Sequence, residues 1–389
     1  MMQIDLLGGF GEKGRTSVGV RAGGQNILLD VGIKVGATGA EYYPALTGAA
    51  DRFDAVLFSH AHEDHIGGLS WLLSRGFRGR ILMTEETRAE APATLAGYAD
   101  ADDLRRFPFP HDLVEIFEPG DTLRCGDLTI GTGCSGHVVG GVWFAVHDGL
   151  SRLVYAGDVV PDSSVFVMDN IPECDLLMLD ASYGADPVAG ATRAKAIAAW
   201  IEDHAAGCLL PTPLSGRSLE LMAGLSGRFA IHAGMRPSLQ AQIDASRALL
   251  PGMSEVLRQR LRGAVDWNDA DPLPSCPLLA DDGMGEAGPS SRLLPRADAA
   301  GFPILLTGHL PAGSPADVIH RSGRADWIRM PTHPTLSGNV GIWEKAGRPK
   351  ALGHSCAPAS LAELALHIPT LDTRCRTGQT ITVTAGDRS

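Results

Sequence analysis

The chain lacks paired cysteines, a long apolar run and an excess of positive charge, and each absence removes a class of protein. Its seven cysteines, at 125, 134, 174, 208, 276, 356 and 375, are odd in number, dispersed and without a CxxC pair. That excludes a disulfide-framed scaffold and a cysteine zinc knuckle, and leaves free thiols in a reducing compartment as the expectation. No uninterrupted apolar run reaches the roughly 18 residues that a membrane helix needs. The opening MMQIDLLGGFGEKG has no basic segment followed by an apolar one, so neither export nor membrane anchoring is expected and the cytoplasm is the default location. Lys+Arg 33 against Asp+Glu 45 gives a net charge of −12, so any polyanion has to be bound locally rather than by a global field.

What is present is a globular composition, 44% hydrophobic and 20% charged over 389 residues, a length that suggests two domains or one large α/β unit with an insertion. Many of the 47 glycines stand at the ends of short apolar runs, as where strands stop abruptly and hand over to functional loops. Five such runs, at 26–30, 55–60, 142–146, 153–158 and 176–180, read as strands, and several finish on a His or an Asp. Helical patterns occupy 66–75 and 85–101. A helix-richer texture begins near Thr192, with helices expected over 192–204, 218–225 and 238–262 and a strand at 207–211. Residues 266–296 collect Pro, Asp, Gly and Ser and read as a loop or lid edge, after which strand character returns at 303–307 and 351–353.

The densest chemical signal is Ser59-His60-Ala61-His62-Glu63-Asp64-His65, just beyond the apolar run 55–58. In an extended turn His60 and His62, as i and i+2 residues, project the same way and can close on one ion. Asp64 and His65 open the next helix and suit a second ion. Imidazole and carboxylate donors without thiolate favour zinc, with manganese as the alternative. Four ligands cannot complete two coordination shells, so further donors are expected at other strand ends, and His137 and Asp158 stand at such ends. A carboxylate such as Asp158 suits a bridge, since its two oxygens can each take one cation. His111, His147, His204, His232, His320 and His367 have no ligand-type neighbours and read as surface or packed residues.

This order of motifs resembles the metallo-β-lactamase superfamily: Asp30 in ILLDVG as the first motif, His60/His62/Asp64/His65 as the second, His137 as the third and Asp158 as the fourth. The resemblance implies that His60, His62 and His137 hold one metal, Asp64 and His65 the other, Asp158 both, while Asp30 orients ligands by hydrogen bonds. Asp180-Ala181-Ser182-Tyr183-Gly184, the segment LLPTPLSGRSLEL at 209–221 and ILLTGH at 304–309 resemble the β-CASP branch, whose members cut RNA or DNA. That branch's last metal ligand matches His354. Its histidine near the scissile phosphate matches His333, which departs from the usual setting by lying in Pro-Thr-His-Pro.

The implied fold is an α/β metallo-β-lactamase αββα sandwich over 1–185, interrupted by an inserted β-CASP α/β domain over 186–314 and resumed over 315–389. The implied activity is that of a metal-dependent phosphodiesterase cutting single-stranded nucleic acid, RNA before DNA, through a hydroxide on two Zn2+ or Mn2+ ions. Asp64, Asp180 and His333 are its catalytic residues. Ser215, Gly216 and Arg217 at a helix start are candidate phosphate contacts, because free backbone N–H groups and the positive helix end converge there. His309, in a strand-end turn, is a candidate substrate contact. The alternatives are a hydrolase of a small ester, thioester or lactone, and a non-catalytic scaffold in RNA processing.

Overall fold

The computed structural model of the chain is described over residues 1–384 and 386. It divides into two compact units: Met1–Asp162, Met168–Pro187 and His333–Ser389 form one, and Ser163–Val167 with Val188–Thr332 form the other. The second unit thus interrupts the first in sequence. The first unit resumes at His333 rather than at 315, because Asp326–Trp327 pairs in parallel with Leu305–Leu306 and so keeps residues 315–332 in the second unit.

The first unit holds two seven-stranded sheets. One runs Thr380–Val383, Met2–Gly8, Ser17–Ala22, Gln25–Leu29, Ala55–Leu57, Arg80–Met83, Val114–Ile116; the other runs Leu371–Asp372, Lys350–His354, Leu176–Asp180, Arg152–Tyr155, Val142–His147, Leu128–Cys134, Thr122–Cys125. The period-2 alternation of strands sorts side chains between layers. Leu176 and Met178 join the core between the sheets, with Ile4, Leu6, Ile27, Leu57 and Phe144, whereas Leu177 and Leu179 face outward and pack with Ile342, Trp343, Leu361 and Leu364 of the covering helices. Residues buried on both faces explain why LLML is continuously apolar instead of alternating. The other sheet's outer face is covered by Ile66, Leu69, Leu72, Ala91 and Leu95. The architecture is therefore an αββα sandwich.

Each sheet is antiparallel on one side and parallel on the other. Gln25–Leu29, Ala55–Leu57 and Arg80–Met83 are parallel, as are Arg152–Tyr155, Leu176–Asp180 and Lys350–His354. Parallel strands end at a common edge, so the residues at or just past their carboxyl ends are delivered to one place. Those residues include Asp30, His60, Asp158, Asp180 and His354.

The second unit is an α/β fold on a parallel sheet ordered Cys208–Pro211, Pro277–Ala280, Ala230–His232, Val265–Trp267. A bridge from Leu209 to Ile304 links it to the parallel pair Leu305–Leu306 and Asp326–Trp327. Three sequence expectations are corrected here. Residues 266–296 are not a loop: Pro277–Ala280 is a fully buried strand inside the sheet, and Ser290–Ala299 is a helix. Four apolar residues among turn formers were too short a signal. The helical span 238–262 is two helices, Arg236–Asp244 and Met253–Gly263, separated at Pro251 and at Gly252, whose φ of 82° no helix interior accommodates. The span 85–101 likewise ends at Tyr98, and Asp100 caps a new helix, Ala101–Arg106, through the amides of Asp102 and Asp103. Among the described residues no helix is long and apolar enough to cross a membrane.

Candidate metal centre

Asp30 anchors the site. It follows its strand in a left-handed conformation, φ 59°, and is fully buried. A buried carboxylate must be hydrogen-bonded, and Asp30 accepts from four donors: the Ser59 amide at 2.7 Å, the Ser59 hydroxyl at 2.7 Å, His65 Nδ1 at 2.7 Å and the Tyr155 hydroxyl at 2.6 Å. With Nδ1–H given to Asp30, His65 presents Nε2 to the interior. The backbone of this loop is held just as closely: a Cβ on Gly32 would lie 1.7 Å from the Asp64 carbonyl oxygen, so only glycine fits.

Three imidazole nitrogens converge at the first cluster. His62 Nδ1 lies 3.1 Å from His60 Nε2 and 3.2 Å from His137 Nε2. Asp158 Oδ2 lies 3.8 Å from His60 Nε2 and 3.7 Å from His137 Nε2. Donors bound tetrahedrally to one zinc at about 2.0–2.1 Å would be separated by about 3.3 Å, so the four atoms fit a single divalent cation. Burial pushes His60 well below the usual histidine range, lowers His62 and takes His137 down to about 3. All three rings are therefore neutral at pH 7, the state that ligation requires.

A second group of ligand-type atoms lies around His65. Its Nε2 faces Asp158 Oδ1 at 3.2 Å, with Asp64 Oδ1 3.9 Å away; burial opposes charge on this ring, but Asp158, Asp64 and Asp30 outweigh it and hold it well above the usual histidine range. His354 Nε2 is buried without a hydrogen-bond partner, which costs about 1–3 kcal/mol. His354 is oriented by its neighbour, since its Nδ1 lies 3.1 Å from the Ser355 hydroxyl, which is 3.3 Å from that of Thr16.

His333 joins Asp158 and Asp180, with one ligand-type atom from each within 4.8 Å of the others. Its Nδ1 is 2.8 Å from Asp180 Oδ2 and 3.6 Å from Asp158 Oδ2. Burial opposes its charge, but the two carboxylates outweigh that and hold it up at about 9. The Tyr183 ring meets it edge-on at 5.0 Å. The structure thus gathers His60, His62, Asp64, His65, His137, Asp158, Asp180, His333 and His354 in the first unit. Ser215, Gly216, Arg217 and His309 belong to the second unit. There Gly216 (φ 75°, ψ −93°) precedes the helix Arg217–Gly224, and Arg217 is buried with Nη2 3.5 Å from Thr332 Oγ1.

Sequence reasoning missed Ser59, Tyr155, Thr16 and Ser355, which orient the histidines. Ser59 and Ser355 leave only the trace of lying beside a ligand-type histidine, and the φ of 58° at Ser355 is uncommon outside glycine.

A buried cluster of histidines and carboxylates at the strand ends of an αββα sandwich is a candidate centre for divalent metal ions. A family model described as "Metallo-beta-lactamase superfamily" matches residues 11–204. The chain belongs to that superfamily, in its β-CASP branch. It is 27% identical over 346 residues to transcription termination factor FttA of Cenarchaeum symbiosum, covering 74% of this chain and 52% of that protein. It is 35% identical over 182 residues to ribonuclease TTHA0252 of Thermus thermophilus, covering 43% of this chain and 40% of that protein. The chain thus spans about half the length of the curated relatives it matches. A protein of unknown function from Enterococcus faecalis V583 shares the fold, with a TM-score of 0.62 at 11% identity over 98% of this chain and 99% of its own.

Proposed function

We propose that the protein is a metal-dependent phosphodiesterase that cuts single-stranded nucleic acid, with RNA as the substrate. One observation carries the reading: the two oxygens of Asp158 face different groups, Oδ2 toward His60 and His137 and Oδ1 toward His65 Nε2. That is the arrangement of a carboxylate shared by two cations. His60, His62, His137 and Asp158 would hold one ion, and Asp64, His65, Asp158 and His354 the other, with zinc favoured over manganese by the nitrogen-rich donor set. Bound there, the pair would supply Lewis acidity toward a phosphoryl group and a lowered water pKa.

The chain's own residues supply the rest. His333, protonated at neutral pH and fixed by Asp180, is set to donate a proton to the leaving 3′-oxygen or a hydrogen bond to the charge developing on phosphorus. Asp30, Ser59, Tyr155 and Ser355 lock ring orientation, so no reorganisation is needed during reaction. We assign phosphate binding to Ser215, Gly216, Arg217 and His309 in the second unit. The name ribonuclease of the Thermus relative supports RNA over DNA.

The test is cleavage of 5′-labelled single-stranded RNA and DNA by metal-loaded protein, beside thioester and lactone substrates, with His62→Ala as control. Strand cleavage lost in the control is expected. Ester turnover without strand cleavage would move the assignment to the small-molecule hydrolases.

A further inference from the structure

We infer that Trp327 is a stacking platform for one nucleobase of a single-stranded nucleic acid, in the second unit beside the Arg217 guanidinium; this rests on the nuclease reading above. Of 6 Trp, 5 Tyr and 11 Phe, Trp327 is the one exposed aromatic side chain among the described residues, at 39%. Its indole is nevertheless held in place. Trp327 pairs with Leu306 through the parallel strand pair, and its Nε1–H donates to the Gly308 carbonyl at 2.9 Å. The ring is therefore presented in a fixed orientation at the carboxyl end of a parallel strand, the edge where ligands of open α/β sheets bind.

Positive charge gathers at the same strand end. The Arg329 guanidinium lies over the Trp327 ring, 5.5 Å from its centroid. A Cβ on Gly308 would lie 2.6 Å from Arg217 Nη1, so the glycine that accepts the indole hydrogen bond is also the one the buried arginine approaches. Asp326, next to Trp327 in sequence, accepts a hydrogen bond from Trp200 Nε1 at 2.8 Å. With Arg329 over the ring and the His320 ring tilted against it at 5.9 Å, the indole's remaining exposed surface beside a guanidinium matches a base followed by its phosphate. The net charge of −12 adds weight, because a protein that neutralises few phosphates gains little from counterion release, whereas stacking on a π face is independent of net charge.

The experiment measures anisotropy of metal-loaded wild type, Trp327→Ala and Trp327→Phe with a nuclease-resistant phosphorothioate oligoribonucleotide and with an equally long strand of abasic sugars, over a range of salt. Trp327→Ala is expected to weaken the base-bearing strand about 5- to 150-fold, the loss of one stacked base, with an unchanged salt slope and little effect on the abasic strand. Trp327→Phe should retain most of the affinity. If Trp327→Ala melts early, Trp327→Leu, which keeps apolar bulk but has no π face, decides in its place. Equal affinity of wild type and variant, or equal loss on both strands, overturns the inference while RNA cleavage by wild type leaves the nuclease reading standing. Self-association of wild type that Trp327→Ala abolishes would also overturn it, giving this edge to a protein partner. Wild type that neither binds nor cleaves RNA removes both.

Discussion

Tyr155→Phe tests whether the candidate centre is built on a charged, fully satisfied Asp30. Asp30, His65 and Tyr155 are all completely buried, and the Tyr155 hydroxyl supplies one of four hydrogen bonds to the carboxylate, at 2.6 Å. Burial and the neighbouring Asp30 push the phenol well above its usual range, so it is a protonated donor throughout the ordinary pH range. Removing one oxygen creates almost no cavity, so the cost is that of the hydrogen bond. A bond to a charged group contributes about 1.5–3 kcal/mol, against about 0.5–1.5 kcal/mol for one to a neutral partner. Tyr155→Phe should therefore lower unfolding free energy by about 2 kcal/mol in wild type but by about 1 kcal/mol in an Asp30→Asn background. Urea unfolding of the four proteins in this double-mutant cycle, done on metal-free protein, measures the coupling directly. Equal losses in both backgrounds would show that no charged acceptor sits at residue 30, and the account of how His65 is oriented would fall with it.

Two further perturbations address the frame of the site. Burial works against charge on Glu12, but hydrogen bonds from Arg15, Lys34 and Thr377 outweigh it and hold the carboxyl below its usual 4.5. A depressed folded-state pKa means stability that is fully present above about 4.5 and is lost as pH falls through the folded value; Glu12→Gln should flatten that acid limb in pH-dependent thermal melts, and an unaltered profile would refute the assignment. Gly32→Ala should cost at least the upper end of the about 1–3 kcal/mol typical of overpacking, because its Cβ would meet the Asp64 carbonyl oxygen at 1.7 Å, a backbone atom that cannot rotate away. The same variant should bind less metal, measured by elemental analysis, since displacing Asp64 displaces His65; full metal content would show the loop to be more compliant than this packing allows.

The candidate donors were legible because donor chemistry is carried by residue type. A histidine or aspartate at the end of an apolar run advertises itself wherever the chain later places it, and His60, His62, His137, Asp158 and His354 all stand so. The residues that orient them carry no such mark. Tyr155, flanked by Val154 and Ala156 at the end of a strand buried except at Arg152, reads as core; its role exists only because residue 155 of one sheet faces residue 30 of the other. Ser59 is hidden for a different reason, since its amide and hydroxyl both act on a carboxylate 29 positions away. The fold divides along the same line. The sandwich was readable where runs such as LLML are long and apolar, whereas Pro277–Ala280 vanished among turn residues because its strand character comes from neighbours on both sides, Cys208–Pro211 and Ala230–His232, rather than from its own length. Donor identity is thus local information and donor orientation is tertiary. Orientation decides whether His65 Nε2 faces Asp158 Oδ1 or turns away from it, and that orientation is set by hydroxyl and carboxylate groups outside the candidate donor set.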